Sequence, residues 1–198
     1  RNARRVNYHH SGVGSMSPPS GATETYGFEW ELVAGNGTSH QSLINKIDSI
    51  AVSKGVLLGY ERDSSLQSLH EVEVVSSPHT LETHLQMLKA LPDLTNHANT
   101  YQTTTRGGIH IHVGATAFRS LQCAQLFGLL FSYHKNWECE RSGWAHIAGR
   151  GLNNYVRAVH PYSSYLEGFV ESGYHSDRYT AANHRSNTTE VRIFRSAT

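Results

Sequence analysis

The sequence predicts an α+β protein whose sheet is covered by helices on one face. Two observations support this class. Short segments rich in aromatic and β-branched residues alternate along the chain with amphipathic segments. No glycine-rich turn follows a predicted strand in the way that doubly wound nucleotide-binding folds require. A chain of 198 residues is long enough to bury a normal hydrophobic core in one domain.

The composition excludes several classes of function. The formal net charge of +1 argues against a nucleic-acid partner, because dedicated nucleic-acid binders carry a clear basic excess. No apolar run approaches 18 residues, so no membrane span is expected, and no basic start precedes an apolar stretch as in a signal peptide. We therefore expect a cytoplasmic location.

The first 20 residues differ from the rest of the chain. They are polar and contain Arg1, Arg4 and Arg5 but no acidic residue, and a double proline ends them. We expect residues 1–20 to form a basic tail, either flexible or partly docked, through which the protein could join a larger assembly. Residues 21–198 then form the folded domain.

Hydrophobic patterns place the main elements of this domain. One helix is expected over 39–54, where apolar residues recur at helical spacing and Gly55 suits the left-handed position after the last turn. A second is expected over 78–91, with Leu81, Leu85 and Leu88 on one face. Strand patterns cover 26–33, 56–61, 70–76, 108–113 and 188–194, a third helix is expected over 121–137, and 141–176 is expected to form long loops with a short helix near 162–173.

Four of the predicted strands share one feature: each carries two polar residues at positions i and i+2. Side chains alternate between the faces of a strand, so each pair projects from one face. A single pair of this kind is typical of a solvated sheet face. Four pairs together bring many carboxylates onto one face, and a bound cation would relieve their mutual repulsion. The pairs are Glu29 and Glu31, Glu71 and Glu73, His110 and His112, and Glu190 and Arg192.

The residue types indicate the metal. Carboxylates with one or two histidines favour Mg²⁺ or Mn²⁺, whereas a zinc site would be richer in His and Cys, and no HExxH motif is present. Magnesium held by carboxylates commonly keeps positions for phosphate oxygens, and Arg192 would lie beside them. The pattern therefore predicts phosphoryl chemistry with two or more metal ions, although no Walker A motif is present.

Five sequence pieces, in this order, resemble the amidoligase family, which belongs with the glutamine synthetase and glutamate–cysteine ligase group. The resemblance extends from about Tyr26 to Phe194, nearly the whole chain after the tail. The pieces are 26–31 (YGFEWE), 63–66 (DSSL), 73–78 (EVVSSP), 108–114 (GIHIHVG) and 178–194, which contains Arg178, Asn183 and the final TEVRIF.

The resemblance implies a glutamine-synthetase-like catalytic domain with a mostly antiparallel curved sheet, helices on one face and the metal site on the other. It implies an ATP-dependent carboxylate–amine ligase that joins a small-molecule or peptide carboxylate to an amine through an acyl phosphate. Its metal ligands would be Glu29, His110 and Glu190 for one Mg²⁺ or Mn²⁺ ion and Glu31 and Glu73 for the other. Arg192, Arg178 and His112 would act on the phosphoryl group, with Asn183 positioning the nucleotide or substrate.

Some features depart from this pattern, and two other functions stay open. Gly107 stands where the family has a cysteine, and a further helix would be expected after Thr198. Glu71 is either an additional ligand or a solvated residue. The same face would also suit a metal-dependent hydrolase or nuclease that needs no ATP. A non-catalytic module that keeps the ligase fold is the third hypothesis.

Overall fold

The computed structural model describes residues 7–8, 12–33, 40–62, 71–90, 108–120, 123, 126–127, 148, 181–184 and 187–195. Over these residues the protein is α+β, as predicted, with six strands in antiparallel ladders and two α-helices. The chain divides into two compact units, one of residues 1–107 with 196–198 and one of residues 108–195.

The described part of the first unit contains four strands. They are β1 (Asn7–Tyr8), β2 (Tyr26–Val33), β3 (Leu58–Arg62) and β4 (Glu71–Ser76), and their order is β1-β3-β4-β2. β4 pairs antiparallel with both β2 and β3, whereas β1 pairs parallel with β3. The N-terminal segment therefore contributes an edge strand, with Asn7 opposite Glu61.

The alternation of β2 separates an apolar face from an acidic one. Phe28, Trp30 and Leu32 are buried hydrophobic side chains, and Glu29 and Glu31 point to the other face. Trp30 lies opposite Val74 of β4, which lies opposite Tyr60 of β3, so the apolar face continues across three strands.

Both described helices pack on this apolar face. Helix α1 (His40–Ser53) buries a stripe of residues spaced as the sequence predicted, and the Tyr60 hydroxyl donates a hydrogen bond of 3.3 Å to the Ile44 carbonyl. Gly55 follows with φ of 76°, the left-handed conformation expected after this helix. The buried residues of the stripe are Leu43, Ile44, Ile47 and Ala51.

Helix α2 (Leu81–Lys89) presents its three leucines to solvent. Leu81, Leu85 and Leu88 are exposed, and the helix buries His84 and Met87. The His84 ring meets the Phe28 ring of β2 edge-on at a centroid distance of 5.4 Å. The leucines share one face, as predicted, and tertiary contacts bury the neighbouring one.

The second unit contains three described strands in the order β5-β7-β6. They are β5 (Gly108–Gly114), β6 (Ala182–His184) and β7 (Thr188–Arg195), all paired antiparallel. A small apolar cluster that includes Ala181, Val191 and Ile193 supports β7.

Several predicted elements lie outside the described residues. These are the loops of 141–176 with their short helix, except for the helical residue Ala148, and most of the third helix, which is helical at the described positions Cys123, Leu126 and Phe127. No described helix has the length and apolarity needed to cross a lipid bilayer.

Candidate metal centre

His110 and Glu190 come together in the second unit. The His110 Nδ1 atom lies 3.5 Å from Glu190 Oε1, and both side chains are buried. A metal ligand must present a lone pair, and a carboxylate oxygen and an imidazole nitrogen both provide one. These two groups are therefore positioned to share a cation.

An irregularity in β7 lies beside this pair. Between the pairs Ile109–Phe194 and Ile111–Val191, β5 advances by two residues and β7 by three. β-Bulges are frequent next to active sites because they re-aim a side chain.

The register of the second unit aligns three of the predicted site residues. Asn183 of β6 lies opposite Glu190 of β7, which lies opposite His112 of β5. Directly opposed residues share a face, so the three project to the same side. Asn183 and Glu190 are buried, and His112 is half-buried and so more accessible to a ligand.

Arg192 contacts Glu190 directly. Its Nη1 atom donates a hydrogen bond of 2.6 Å to Glu190 Oε1, the same oxygen that faces His110. The Nε atom of Arg192 is buried and has no hydrogen-bond partner among the described residues. A buried donor of this kind can serve an anionic oxygen.

The first unit presents its carboxylates in one row. Glu31 lies opposite Glu73 across the β2–β4 ladder, and Glu73 lies opposite Glu61 across the β3–β4 ladder. All three are buried, although carboxylates rarely are. Glu29 projects from the same face two residues before Glu31.

Glu61 is the residue that sequence reasoning missed. It is the last residue of the predicted strand 56–61, so its i+2 neighbour Asp63 fell outside that strand and the pattern that marked the other strands did not mark β3. Its one sequence signal was its position in a predicted strand that lies, along the chain, between two strands carrying carboxylate pairs. Only the register shows that it faces Glu73.

The buried pair of His110 and Glu190 in the second unit has the donors of a metal site, since each residue offers one ligand atom. Glu29 in the first unit is half-buried on the acidic face of β2. The resemblance assigned these three residues to one ion.

The remaining predicted residues are placed less fully. Glu71 lies opposite Val33 at the far end of the β2–β4 ladder, two positions from Glu73. Arg178 and Gly107 lie outside the described residues.

Comparison of the chain with protein-family models, with curated proteins and with solved structures finds no match.

Proposed function

We propose that this chain is an ATP-dependent carboxylate–amine ligase of the amidoligase type, with a glutamine-synthetase-like catalytic domain. The observation that carries the proposal is the buried pair of His110 and Glu190, with Arg192 hydrogen bonded to Glu190. A metal site with an arginine at one of its ligands suits an anionic substrate such as a phosphate group.

The donor set fits Mg²⁺ or Mn²⁺. Carboxylate oxygens are the preferred ligands of both ions, and Mn²⁺ accepts an imidazole nitrogen readily. A bound divalent ion would neutralise charge on the phosphate oxygens of ATP. The row of Glu31, Glu61 and Glu73 would attract a second cation, since all three carboxylates project from one sheet face.

The proposed reaction has two steps. A substrate carboxylate oxygen attacks the γ-phosphorus of ATP, the bond between that phosphorus and the ADP oxygen breaks, and an acyl phosphate forms. The amine nitrogen then attacks the acyl carbon, phosphate leaves, and the nitrogen loses a proton to give the amide.

The chain's own residues have definite roles in this proposal. Arg192 would stabilise the charge that develops on the transferred phosphoryl group, which is where a fixed cation contributes most. His112, half-buried and in register with Glu190, would contact a phosphate or substrate oxygen. Asn183 is buried opposite Glu190, so its proposed role is to position the groups around it.

A metal-dependent hydrolase is the second candidate. The same observation favours it, because a carboxylate and an imidazole can also help to hold an ion that activates water. This alternative needs no nucleotide, and the two functions therefore differ in one measurable requirement.

The test uses hydroxylamine as a small, reactive amine that captures acyl phosphates as hydroxamates. The protein is incubated with Mg²⁺ or Mn²⁺, ATP, hydroxylamine and a panel of amino acids and peptides that carry free carboxylates. We expect hydroxamate and ADP in equal amounts, dependent on the carboxylate, and loss of both in Glu29→Gln. The matched control is Glu82→Gln, which removes an exposed carboxylate of α2 and should leave the rate unchanged.

The contrary result is equally specific. Metal-dependent cleavage of an ester without ATP, with no hydroxamate from any carboxylate, would replace the ligase with the hydrolase. Absence of both activities in a protein that binds neither metal nor nucleotide would leave the non-catalytic hypothesis.

A further inference from the structure

A buried histidine joins α2 to the first residue of β2, away from the candidate metal centre. The His84 side chain is 4% exposed, and its Nε2 atom lies 2.8 Å from the Tyr26 carbonyl oxygen. A carbonyl oxygen can only accept a hydrogen bond, so Nε2 carries the hydrogen and Nδ1 is the unprotonated nitrogen. In this state the single N–H group of the neutral imidazole is already hydrogen bonded.

The other ring nitrogen has no comparable contact. His84 Nδ1 is buried and has no hydrogen-bond partner among the described residues. A proton added there would create a buried positive charge and an N–H group with no acceptor. The apolar edge contact with Phe28 would not compensate for either.

Tyr26 and His79 complete this junction. The Tyr26 amide donates to the His79 carbonyl at 2.8 Å, and the His79 amide donates to the Tyr26 carbonyl at 2.9 Å. The Tyr26 carbonyl therefore accepts from both His79 and His84, and these bonds fix the segment before α2 to the start of β2.

We propose that His84 is a pH-sensitive latch that holds this junction closed while its imidazole is neutral and releases it when Nδ1 takes up a proton. The inference is independent of the proposed ligase activity, since it concerns the attachment of α2 to β2.

The surrounding charges agree with the proposal. Burial lowers the pKa of His84 below its ordinary value of 6.5, the hydrogen bond to the Tyr26 carbonyl opposes this, and a charge on His79 lowers the pKa further. Besides His79, the titratable side chain beside His84 at the junction is Tyr26. Its hydroxyl donates to Glu24, and burial and the Glu24 charge raise its pKa above 10.0, so it stays neutral in this range.

The sign of the pH effect follows from linkage. Because the pKa of His84 is lowered in the closed junction, the open junction binds the proton more readily. The closed form is fully favoured above pH 6.5 and loses that advantage as the pH falls from 6.5 towards the lowered pKa. One proton gives a change of at most about tenfold per pH unit.

The first experiment follows hydrogen exchange of the Tyr26 and His79 amides between pH 7.5 and 5.0 by NMR, corrected for intrinsic exchange rates. We expect their protection to fall on acidification, by up to about tenfold per pH unit, relative to amides of the β3–β4 ladder. In His84→Gln, whose amide can donate but cannot titrate, this slope should disappear. The matched control His79→Gln should keep it.

A second measurement needs no variant. The His84 ring resonances of the wild-type chain are followed through the same titration, and we expect a midpoint below 6.5. A midpoint at or above that value would overturn the proposal. So would wild-type junction amides that keep constant relative protection, or a slope that persists in His84→Gln.

Discussion

In the proposed function, Glu190 is the residue that would couple metal binding to phosphate binding. Its Oε1 atom faces His110 Nδ1 at 3.5 Å and accepts the Arg192 hydrogen bond at 2.6 Å. A cation bound by Glu190 would lie close to the guanidinium, whose positive charge opposes it. Phosphate oxygens placed between them would relieve that repulsion, so the pairing favours binding of metal together with an anion.

Substitution of Arg192 by lysine separates these roles. Lysine keeps the positive charge but loses the planar set of donors that matches phosphate oxygens. We expect Arg192→Lys to bind Mn²⁺ alone about as tightly as the wild type while hydroxamate formation falls by roughly 10²–10³-fold, the usual effect of losing one oriented donor. Calorimetric titration of Mn²⁺ and the hydroxamate assay measure the two effects. An unchanged rate would remove Arg192 from the proposed chemistry.

Ser76 illustrates a structural use of a buried hydroxyl. The Phe28 amide donates to Ser76 Oγ at 2.9 Å, and Ser76 is 2% exposed. Ser76→Ala would leave a buried amide without its acceptor, so we expect the free energy of unfolding to fall by about 1–3 kcal/mol. Ser49→Ala, on the exposed side of α1, is the control and should change it by less than about 0.5 kcal/mol. Equal midpoints of urea unfolding in the two variants would contradict the assigned role.

At the scale of elements, the two helices differ in how well their buried faces could be predicted. In α1 the apolar stripe is the buried stripe, because no polar side chain competes for the sheet. In α2 the side chain that reaches the sheet is His84, whose Nε2 atom bonds to a backbone carbonyl and whose ring contacts Phe28. Hydrophobic periodicity alone cannot rank a histidine above three leucines. The sequence therefore predicted the helix and the shared face of its leucines, and left open which face is buried.

The orientation of α2 can be tested by two truncations on one helix. Met87 is 1% exposed and Leu85 is 38% exposed. Met87→Ala should lower the free energy of unfolding by about 2–5 kcal/mol, the range for large-to-small changes in a core. Leu85→Ala should change it by less than about 0.5 kcal/mol. Chemical denaturation compares them, and a larger loss in Leu85→Ala would contradict the observed orientation.

The shortest strands could not be predicted from the sequence pattern. β1 and β6 contain two and three residues, too few for an alternation to be seen in the sequence. They exist because longer strands offer them a free edge: β1 pairs with β3, and β6 pairs with β7. Such elements are decided by tertiary contacts. Asn183 was predicted as a site residue from a resemblance, while its register opposite Glu190 came from the structure.

At the scale of the whole molecule, the candidate site is a property of several strands, each of which contributes a side chain at alternate positions. The alternation could be predicted because it depends only on the geometry of one strand. The alignment of side chains across neighbouring strands could not be predicted, because register depends on which strands pair and at which residues. Glu61 shows the difference: its own strand carries no polar pair, yet pairing places it opposite Glu73.

Metal binding should therefore stabilise the folded chain. An ion bound only by the folded state at a concentration of 100 times its dissociation constant adds about 2.7 kcal/mol. We expect Mn²⁺, added after treatment with a chelator, to raise the melting temperature of the wild type and of Glu82→Gln. Glu29→Gln and Glu190→Gln should lose most of this increase, each measured against its own metal-free form.

The ligand residues are buried or half-buried and the Glu82 carboxylate is exposed, so nonspecific binding to surface acids would stabilise all four proteins alike. A uniform response, or no response in the wild type, would show that the predicted ligands do not bind the ion and would remove the basis of the proposed activity.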